Sequence, residues 1–326
     1  MAGFGPTFAA LPDATQDEAE DRMTLLYTHP SAWAHLTPEG HPEQVARMDA
    51  VRDALESAVL ERREAPRAGD ADLLRCHPQA YLDRIRDSLP DEGIRMLDGD
   101  TYISQGGFQA ARHAVGGVCQ AVDDVLAGRA PNAFVAMRPP GHHAERETPM
   151  GFCIFGSVAI AAKRALDHHG LDRVAVLDFD VHHGNGTQDL LWDEKRAFFA
   201  STHQMPLFPG TGKASERGEF GQIMNLPLAP DTGGAEARAA WRAIAGQVER
   251  FRPQLVLISA GFDAHRDDPL ASLNWDESDF TAITRMICDA ATAHSAPVVS
   301  ALEGGYDLGA LGRSVRAHVD VLTEVA

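Results

Sequence analysis

The chain has 326 residues, of which 44% are hydrophobic, so it is long enough to bury a full core in one large domain or in two modest ones. Its formal net charge of -18 argues against a nucleic-acid partner, because phosphate binding needs clustered Lys and Arg. No apolar run reaches the ~18 residues that a membrane span needs, so we expect no membrane partner.

The chain begins with the segment MAGFGPTFAALPDATQDEAEDR. It has no basic start followed by an apolar core, which argues against a secretory signal. We interpret residues 1–22 as a flexible lead-in and residues 23–326 as a single domain. The four cysteines are far apart and form no C-x-x-C pair, which favours free thiols in a reducing cytoplasm over disulfides or a cysteine-zinc site.

Helical and strand-like patterns alternate along the rest of the chain. Apolar residues recur at helical spacing in six stretches: 43–64, 107–127, 156–169, 234–251, 276–294 and 310–325. Short, continuous apolar runs typical of buried parallel strands lie between them: 133–137, 174–179, 197–201, 255–261 and 297–303. This alternation predicts an α/β layered domain.

Every strand-like run is followed by a Gly- or Pro-rich loop that carries polar side chains. In chain order these loops read RPPGHHAE, DVHHGNG, THQMPLFPGTG, FDAHRDDP and GGYD. Ligands of open α/β sheets bind outside the carboxyl ends of the strands, so the five loops should meet at one edge of the sheet. The sequence therefore predicts one polar site at that edge.

The second loop has the spacing of metal ligands. Asp178, Asp180 and His182 are two residues apart and in extended chain would share a face, so Asp180 and His182 can hold one ion. The fourth loop offers candidates for a third ligand: Asp263, His265, Asp267 and Asp268. Two carboxylates and one imidazole leave positions open, as in catalytic sites, and suit zinc, with iron(II), manganese or cobalt as alternatives.

Two other loops carry candidate catalytic side chains. His142 and His143 follow a rigid Pro-Pro-Gly turn, where one ring can accept a proton while the other stays charged or hydrogen-bonded. In extended chain we expect the two rings to splay apart. Asp178 and Asn185 are candidate partners that would orient these rings and separate their pKa values. Tyr306 can donate a hydrogen bond to a developing oxyanion.

Two phenylalanines accompany the polar residues of these loops. Phe152 lies in GFCIF and Phe208 in PLFPGTG. They are placed to form the walls of a channel for a long alkyl chain. Ordinary core packing explains them equally well from sequence alone.

Taken together, these motifs resemble the histone deacetylase family, which includes acetylpolyamine amidohydrolases and acetoin-utilisation proteins. The likeness runs from about Tyr27 to the C-terminus and is closest to the class II and bacterial branch. It is carried by RPPGHHA (138–144), GFCIF (151–155), DFDVHHGNGTQ (178–188), FPGTG (208–212), GFDAHRDDPL (261–270) and EGGYD (303–307), with HLTPEGHPE (35–43) and DGDTYIS (98–104) nearer the N-terminus. The resemblance implies the arginase–deacetylase fold, in which helices enclose a central, mostly parallel eight-stranded sheet in three layers.

The resemblance also implies a set of bound ions. It implies one zinc ion per chain held by Asp180, His182 and Asp268. It further implies a potassium ion beneath the zinc, held by Asp178, Ser201 and main-chain oxygens of the zinc-ligand segment.

Roles for the remaining motif residues follow from the same resemblance. His143 is implied to be the general base and acid, His142 its electrostatic partner and Tyr306 the group that polarises the amide carbonyl. The substrate-binding positions implied on the loops are Gly151, Phe152, Phe208 and Leu270.

The activity implied is that of a zinc-dependent amidohydrolase that removes acetyl or other acyl groups from lysine side chains. Acylated polyamines are the alternative substrate class, although polyamine-specific members often carry an acidic residue where this chain has Leu270. An arginase-like enzyme with two manganese ions is discouraged because Gly184 replaces the last carboxylate of the D-x-H-x-D pattern. A non-catalytic metal-binding protein would need neither His143 nor Tyr306. Oligomeric state is not set by the sequence, and a homo-oligomer stays open.

The chain departs from the family pattern at two places. Gly156 and Ser157 follow GFCIF, where the family usually has Asn, which removes a side-chain hydrogen bond near the strand edge. Asp267 replaces the usual Gly before Asp-Pro and adds a carboxylate beside the implied ligand.

Overall fold

The computed structural model describes residues 23–326, so the lead-in expected at residues 1–22 lies outside the described part. The strands are β1 (Leu25–Thr28), β2 (Glu61–Glu64), β3 (Arg95–Met96), β4 (Tyr102–Ile103), β5 (Asn132–Val135), β6 (Val174–Asp178), β7 (Ala197–Gln204), β8 (Ile223–Leu228), β9 (Leu255–Ala260) and β10 (Val298–Leu302). The helices are α1 (Ser31–Ala34), α2 (Ala46–Ala54), α3 (Asp70–Leu73), α4 (Gln79–Asp87), α5 (Gln105–Leu126), α6 (Ser157–Asp167), α7 (Asn185–Leu190), α8 (Gly234–Phe251), α9 (Glu277–Thr292) and α10 (Leu308–Glu324).

An eight-stranded sheet with the order β2-β1-β5-β10-β9-β6-β7-β8 forms the centre of the described chain. All neighbouring strands in it are parallel, which confirms the expected architecture. The flanking helices pack in two groups, α5 with α6 and α8 with α9 and α10. Strands β3 and β4 form a separate antiparallel hairpin.

The position of the site follows from the order of the strands. The five apolar runs seen in the sequence become β5, β6, β7, β9 and β10, which are neighbours in the sheet. Every residue of these five strands is buried, as expected for parallel strands covered on both faces. The loops that follow them therefore converge over the middle of one sheet edge.

Five strands have no counterpart in the sequence prediction: β1, β2, β3, β4 and β8. The helix expected over residues 43–64 is wrong beyond Ala54, because residues 61–64 form the edge strand β2. The sequence of β2, ERRE, is charged and half-exposed, so it lacks the continuous apolar run of a central strand. Strand β8 lies at the opposite edge and is also only partly buried. None of the helices between residues 23 and 326 is long and apolar enough to cross a membrane.

Candidate active site

The loop after β5 brings two buried imidazoles side by side. The ring centroids of His142 and His143 lie 4.0 Å apart with their planes inclined at 42°. The expectation that the two rings splay apart is wrong, because residues 142–143 form a turn and not extended chain. At Gly151, whose φ is +55°, a Cβ atom would lie 2.3 Å from His143 Cδ2, so only glycine fits beside that ring.

The two histidines have different hydrogen-bond partners. His142 Nδ1 lies 3.0 Å from Asp178 Oδ2, and His143 Nδ1 lies 2.7 Å from Asn185 Oδ1. Burial disfavours the charged form of His142, but the carboxylates of Asp180 and Asp178 outweigh it and raise its pKa well above the usual value. Burial and the neighbouring charge of His142 lower the pKa of His143 well below the usual value. These opposite shifts favour the charged form of His142 and the neutral form of His143.

A group of side chains that could bind a metal ion follows β6. The strand ends at Asp178, and Asp180 and His182 lie on the bend beyond it, so the expected extended chain through His182 is wrong. His182 Nδ1 lies 3.2 Å from Asp180 Oδ1 and 3.1 Å from Asp263 Oδ2. Asp180, His182 and Asp263 are all buried, and each offers a donor atom within 4.8 Å of the other two.

Asp268 lies near this group but is engaged by main-chain amides. Its Oδ2 accepts a hydrogen bond of 2.7 Å from the Tyr306 N–H, and its Oδ1 accepts one of 3.0 Å from the Leu270 N–H. Burial and the neighbouring Asp263 carboxylate raise its pKa to about 7. Asp267 is different, because its side chain is 52% exposed and pairs with Arg313.

The residues present fit a divalent cation. Three buried carboxylates and one imidazole are concentrated here, and burial together with the Asp180 carboxylate raises the pKa of Asp263. A divalent cation would neutralise that mutual repulsion, and O/O/N donors suit zinc. Two glycines let the backbone approach these carboxylates closely. A Cβ on Gly261 would lie 2.0 Å from Asp180 Oδ2, and one on Gly304 would lie 2.1 Å from Asp263 Oδ2, so no larger residue fits at either position.

Tyr306 faces the same cavity from the loop after β10. Its ring makes an edge contact with Phe152 at 5.8 Å, and the Arg47 guanidinium lies over it at 5.1 Å. Burial, together with the carboxylates of Asp263 and Asp180, raises its pKa well above the usual value. The hydroxyl therefore keeps its proton and can act as a donor.

A cavity of about 270 Å³ joins these groups. Its lining includes His143, His182 and Tyr306 together with the four substrate-binding positions implied by the family resemblance: Gly151, Phe152, Phe208 and Leu270. It also includes Asp100 and Leu207, which the sequence analysis did not single out. Asp100 lies in the DGDTYIS segment, which resembles the family sequence. That resemblance did not indicate which side chain of the segment reaches the cavity.

The residues implied for potassium are neighbours in the sheet. Asp178 and Ser201 are in register on β6 and β7, and both are buried. Asp178 Oδ1 accepts a hydrogen bond of 3.1 Å from the Asp180 N–H. Ser201 Oγ lies 2.9 Å from His203 Nδ1, a partner that the sequence did not indicate.

A buried charged network beside the site was also missed. Glu303, Arg47, Glu43 and Arg138 are each at most 1% exposed. Glu43 lies in HLTPEGHPE and Glu303 in EGGYD, so both stand in quoted motifs. Spacing along the chain gave no indication that these motifs, 260 residues apart (43 to 303), share one network.

The fold brings this group of possible metal ligands to the edge of a parallel sheet, and known proteins share the fold. The model of the histone deacetylase domain matches residues 41–322. The solved HDA15 HD domain superposes with a TM-score of 0.88 at 30% identity, covering 94% of this chain and 89% of that one.

Three relatives from different organisms support the same family. A histone deacetylase-like amidohydrolase of Pseudomonas aeruginosa is 43% identical, over 81% of this chain and 71% of its own length. A probable deacetylase of Methanothermobacter thermautotrophicus is 40% identical, over 89% of this chain and 88% of its own. Histone deacetylase 10, chloroplastic, of Oryza sativa subsp. japonica is 39% identical, over 94% of this chain and 74% of its own. The chain therefore belongs to the histone deacetylase family, a family of hydrolases.

Proposed function

We propose that this protein is a zinc-dependent amidohydrolase that removes acetyl or other acyl groups from lysine side chains. The observation that carries the proposal is one cavity lined by His143, His182 and Tyr306, with His142 packed against His143 and with His182 in a buried Asp-His-Asp group. His143, His142 and Tyr306 would supply the base, the cation and the oxyanion donor that amide hydrolysis requires.

Asp180, His182 and Asp268 would hold the zinc ion. Asp263 has both oxygens engaged, with the Val181 N–H at 2.9 Å and with the His182 ring at 3.1 Å, which suits a carboxylate that orients a ligating imidazole. Zinc supplies a Lewis acid at this position, which polarises a carbonyl oxygen and makes water a better nucleophile. At Gly184 a Cβ would lie 2.2 Å from Asp178 Oδ2, which disfavours the extra carboxylate of a two-metal site.

The chain's own groups would carry the proton transfers. His143, neutral and oriented by Asn185, takes a proton from the attacking water and later delivers it to the leaving amine. His142, charged and paired with Asp178, stabilises the negative charge that develops nearby. Tyr306 donates its O–H to the carbonyl oxygen as that oxygen becomes an oxyanion.

The cavity suits a slender acylated amine. Phe152 and Phe208 would flank the alkyl stem, and the Phe208 ring lies 5.2 Å from the His143 ring. Leu270 lines the cavity with an apolar side chain, and so gives no carboxylate there for the second amine of a polyamine. That observation supports acyl-lysine over acyl-polyamine. We also propose potassium at Asp178 and Ser201 as a structural ion beneath the zinc position.

The test is hydrolysis by metal-replete protein. An ε-acetyl-lysine fluorogenic peptide and acetylated polyamines are compared at equal concentration, with and without a hydroxamate. We expect turnover of the peptide that exceeds turnover of the polyamines and that the hydroxamate abolishes. If the protein hydrolysed neither the peptide nor the polyamines, the proposed activity would be refuted. A preference for polyamines would refute the assignment of acyl-lysine as the substrate.

A further inference from the structure

The side chain of Glu303 connects two loops of the candidate active site. It is 1% exposed, and its Oε2 accepts hydrogen bonds from two consecutive main-chain N–H groups, that of Gly141 at 2.7 Å and that of His142 at 3.1 Å. Glu303 itself lies three residues before Tyr306. One carboxylate oxygen therefore joins the loop that carries the two histidines to the loop that carries the tyrosine.

The same two loops are joined again by buried ion pairs. Arg47 donates to the carbonyl oxygens of Gly305, at 2.7 Å, and Glu303. Arg47 also pairs with Glu43 at 3.0 Å, and Glu43 accepts a hydrogen bond of 2.6 Å from Arg138, the first residue of the histidine loop. The contacts close a ring, in which Glu303 makes the direct link to the histidines.

We propose that Glu303 is a positioning residue for the deacylation proposed above: by holding the Gly141 and His142 N–H groups it keeps both histidines at working distance from Tyr306. The inference rests on the proposed function for the reaction and on the hydrogen bonds for the role. It assigns the carboxylate no contact with substrate, so its action passes through the backbone of the histidine loop.

The reach of the side chain, more than its charge, is what this role needs. Two buried N–H groups left without an acceptor are unfavourable, so the loop would shift to find another partner. A displacement of ~1 Å between catalytic groups can cost about 10²-fold in rate. Glutamine keeps an oxygen at the same reach, whereas aspartate keeps the carboxyl group but withdraws its oxygens by one methylene.

The experiment compares Glu303→Gln with Glu303→Asp in the full chain loaded with zinc. The readouts are kcat and KM on the acetyl-lysine peptide, metal content, and amide hydrogen exchange of the segment 138–144. We expect Glu303→Asp to lower kcat about 10²-fold with KM changed less than about threefold and with faster exchange of that segment. Glu303→Gln should stay within about tenfold of the unsubstituted enzyme and keep its exchange slow.

Glu216 provides the matched control. Its carboxylate also accepts two consecutive main-chain N–H groups, those of Gly212 at 3.0 Å and Lys213 at 3.1 Å, but in a loop without the histidines or the tyrosine. Glu216→Asp should leave kcat and the exchange of residues 138–144 within about twofold. Unchanged kcat in Glu303→Asp, or an equal loss in Glu303→Gln, would overturn the positioning role. An inactive unsubstituted enzyme would instead overturn the proposed function and the inference with it.

Discussion

The floor and the mouth of the cavity are built in different ways. On the floor, His143 lines the cavity, and His142 and Asp180 contact residues that line it. All three are buried, and each is fixed by a hydrogen bond to a second buried group. At the mouth, Phe208 is 42% exposed and contributes only its apolar surface, as does Leu270. Polar groups held in a buried network have discrete working positions, whereas an exposed ring can be replaced with a graded loss. Substitutions on the floor should therefore change chemistry, and those at the mouth should change binding.

The largest effect is expected for Asp180→Ala on the floor. Asp180 accepts hydrogen bonds from the N–H groups of Gly304 and His182, so its oxygens are fixed beside the imidazole. Losing a metal that supplies several kcal/mol of charge stabilisation should lower turnover by about 10³-fold or more. Metal content by mass spectrometry and hydrolysis of the acetyl-lysine peptide measure this. The control Asp267→Ala removes an exposed carboxylate and should change neither, and a fully metallated, active Asp180→Ala protein would contradict the metal site.

A second substitution pair sharpens the description of the floor. Asp268→Asn should lower zinc affinity by about 10³-fold or more if Asp268 is a ligand, since an amide is a poorer donor than a carboxylate. Asp263→Asn should lower it by only about 10–100-fold if Asp263 orients His182. Competitive titration with a zinc chelator ranks the two variants. The opposite ranking would make Asp263 the third ligand, in line with its position inside the Asp180–His182 group.

Tyr306→Phe separates chemistry from metal binding on the same floor. The tyrosine hydroxyl is proposed to act on the developing oxyanion, and removing one such donor costs about 10²–10³-fold in kcat. The metal content of the protein should stay unchanged, and so should its thermal stability measured without hydroxamate, because the ring keeps its contacts with Phe152 and Arg47. Turnover equal to that of the unsubstituted protein would leave the hydroxyl without a role.

The same contrast explains how much the sequence alone could predict. The floor residues are adjacent or two apart within single motifs, and the motifs follow apolar runs that became five neighbouring strands, so their convergence was predictable. What the sequence could not give is local conformation: the turn at His142 and the bend after Asp178 depend on tertiary contacts. The expectations of splayed histidines and of an extended ligand strand were wrong for that reason.

Contacts between distant segments were beyond the sequence as well. Asp263 was one of four candidates for the third ligand, and only the packing of β6 against β9 brings it beside His182. The edge strand β2 was hidden because charged, half-exposed residues carry no strand-type pattern. Asp100 reaches the cavity from the β3–β4 hairpin, where its Oδ1 accepts a hydrogen bond of 3.0 Å from the Gly151 N–H.

The smallest effect is expected at the mouth, from Phe208→Ala. The ring is already partly in water, so removing it should weaken apolar contact with an alkyl stem by about 1 kcal/mol, which corresponds to about fivefold in KM. Because no polar group of the floor depends on this ring for a hydrogen bond, kcat should stay within about twofold. Phe220→Ala, at a ring that is 54% exposed and not among the cavity-lining residues, is the matched control and should change neither constant. A fall in kcat as large as that of Tyr306→Phe would show that Phe208 holds His143 in place, and the division between floor and mouth would then be wrong.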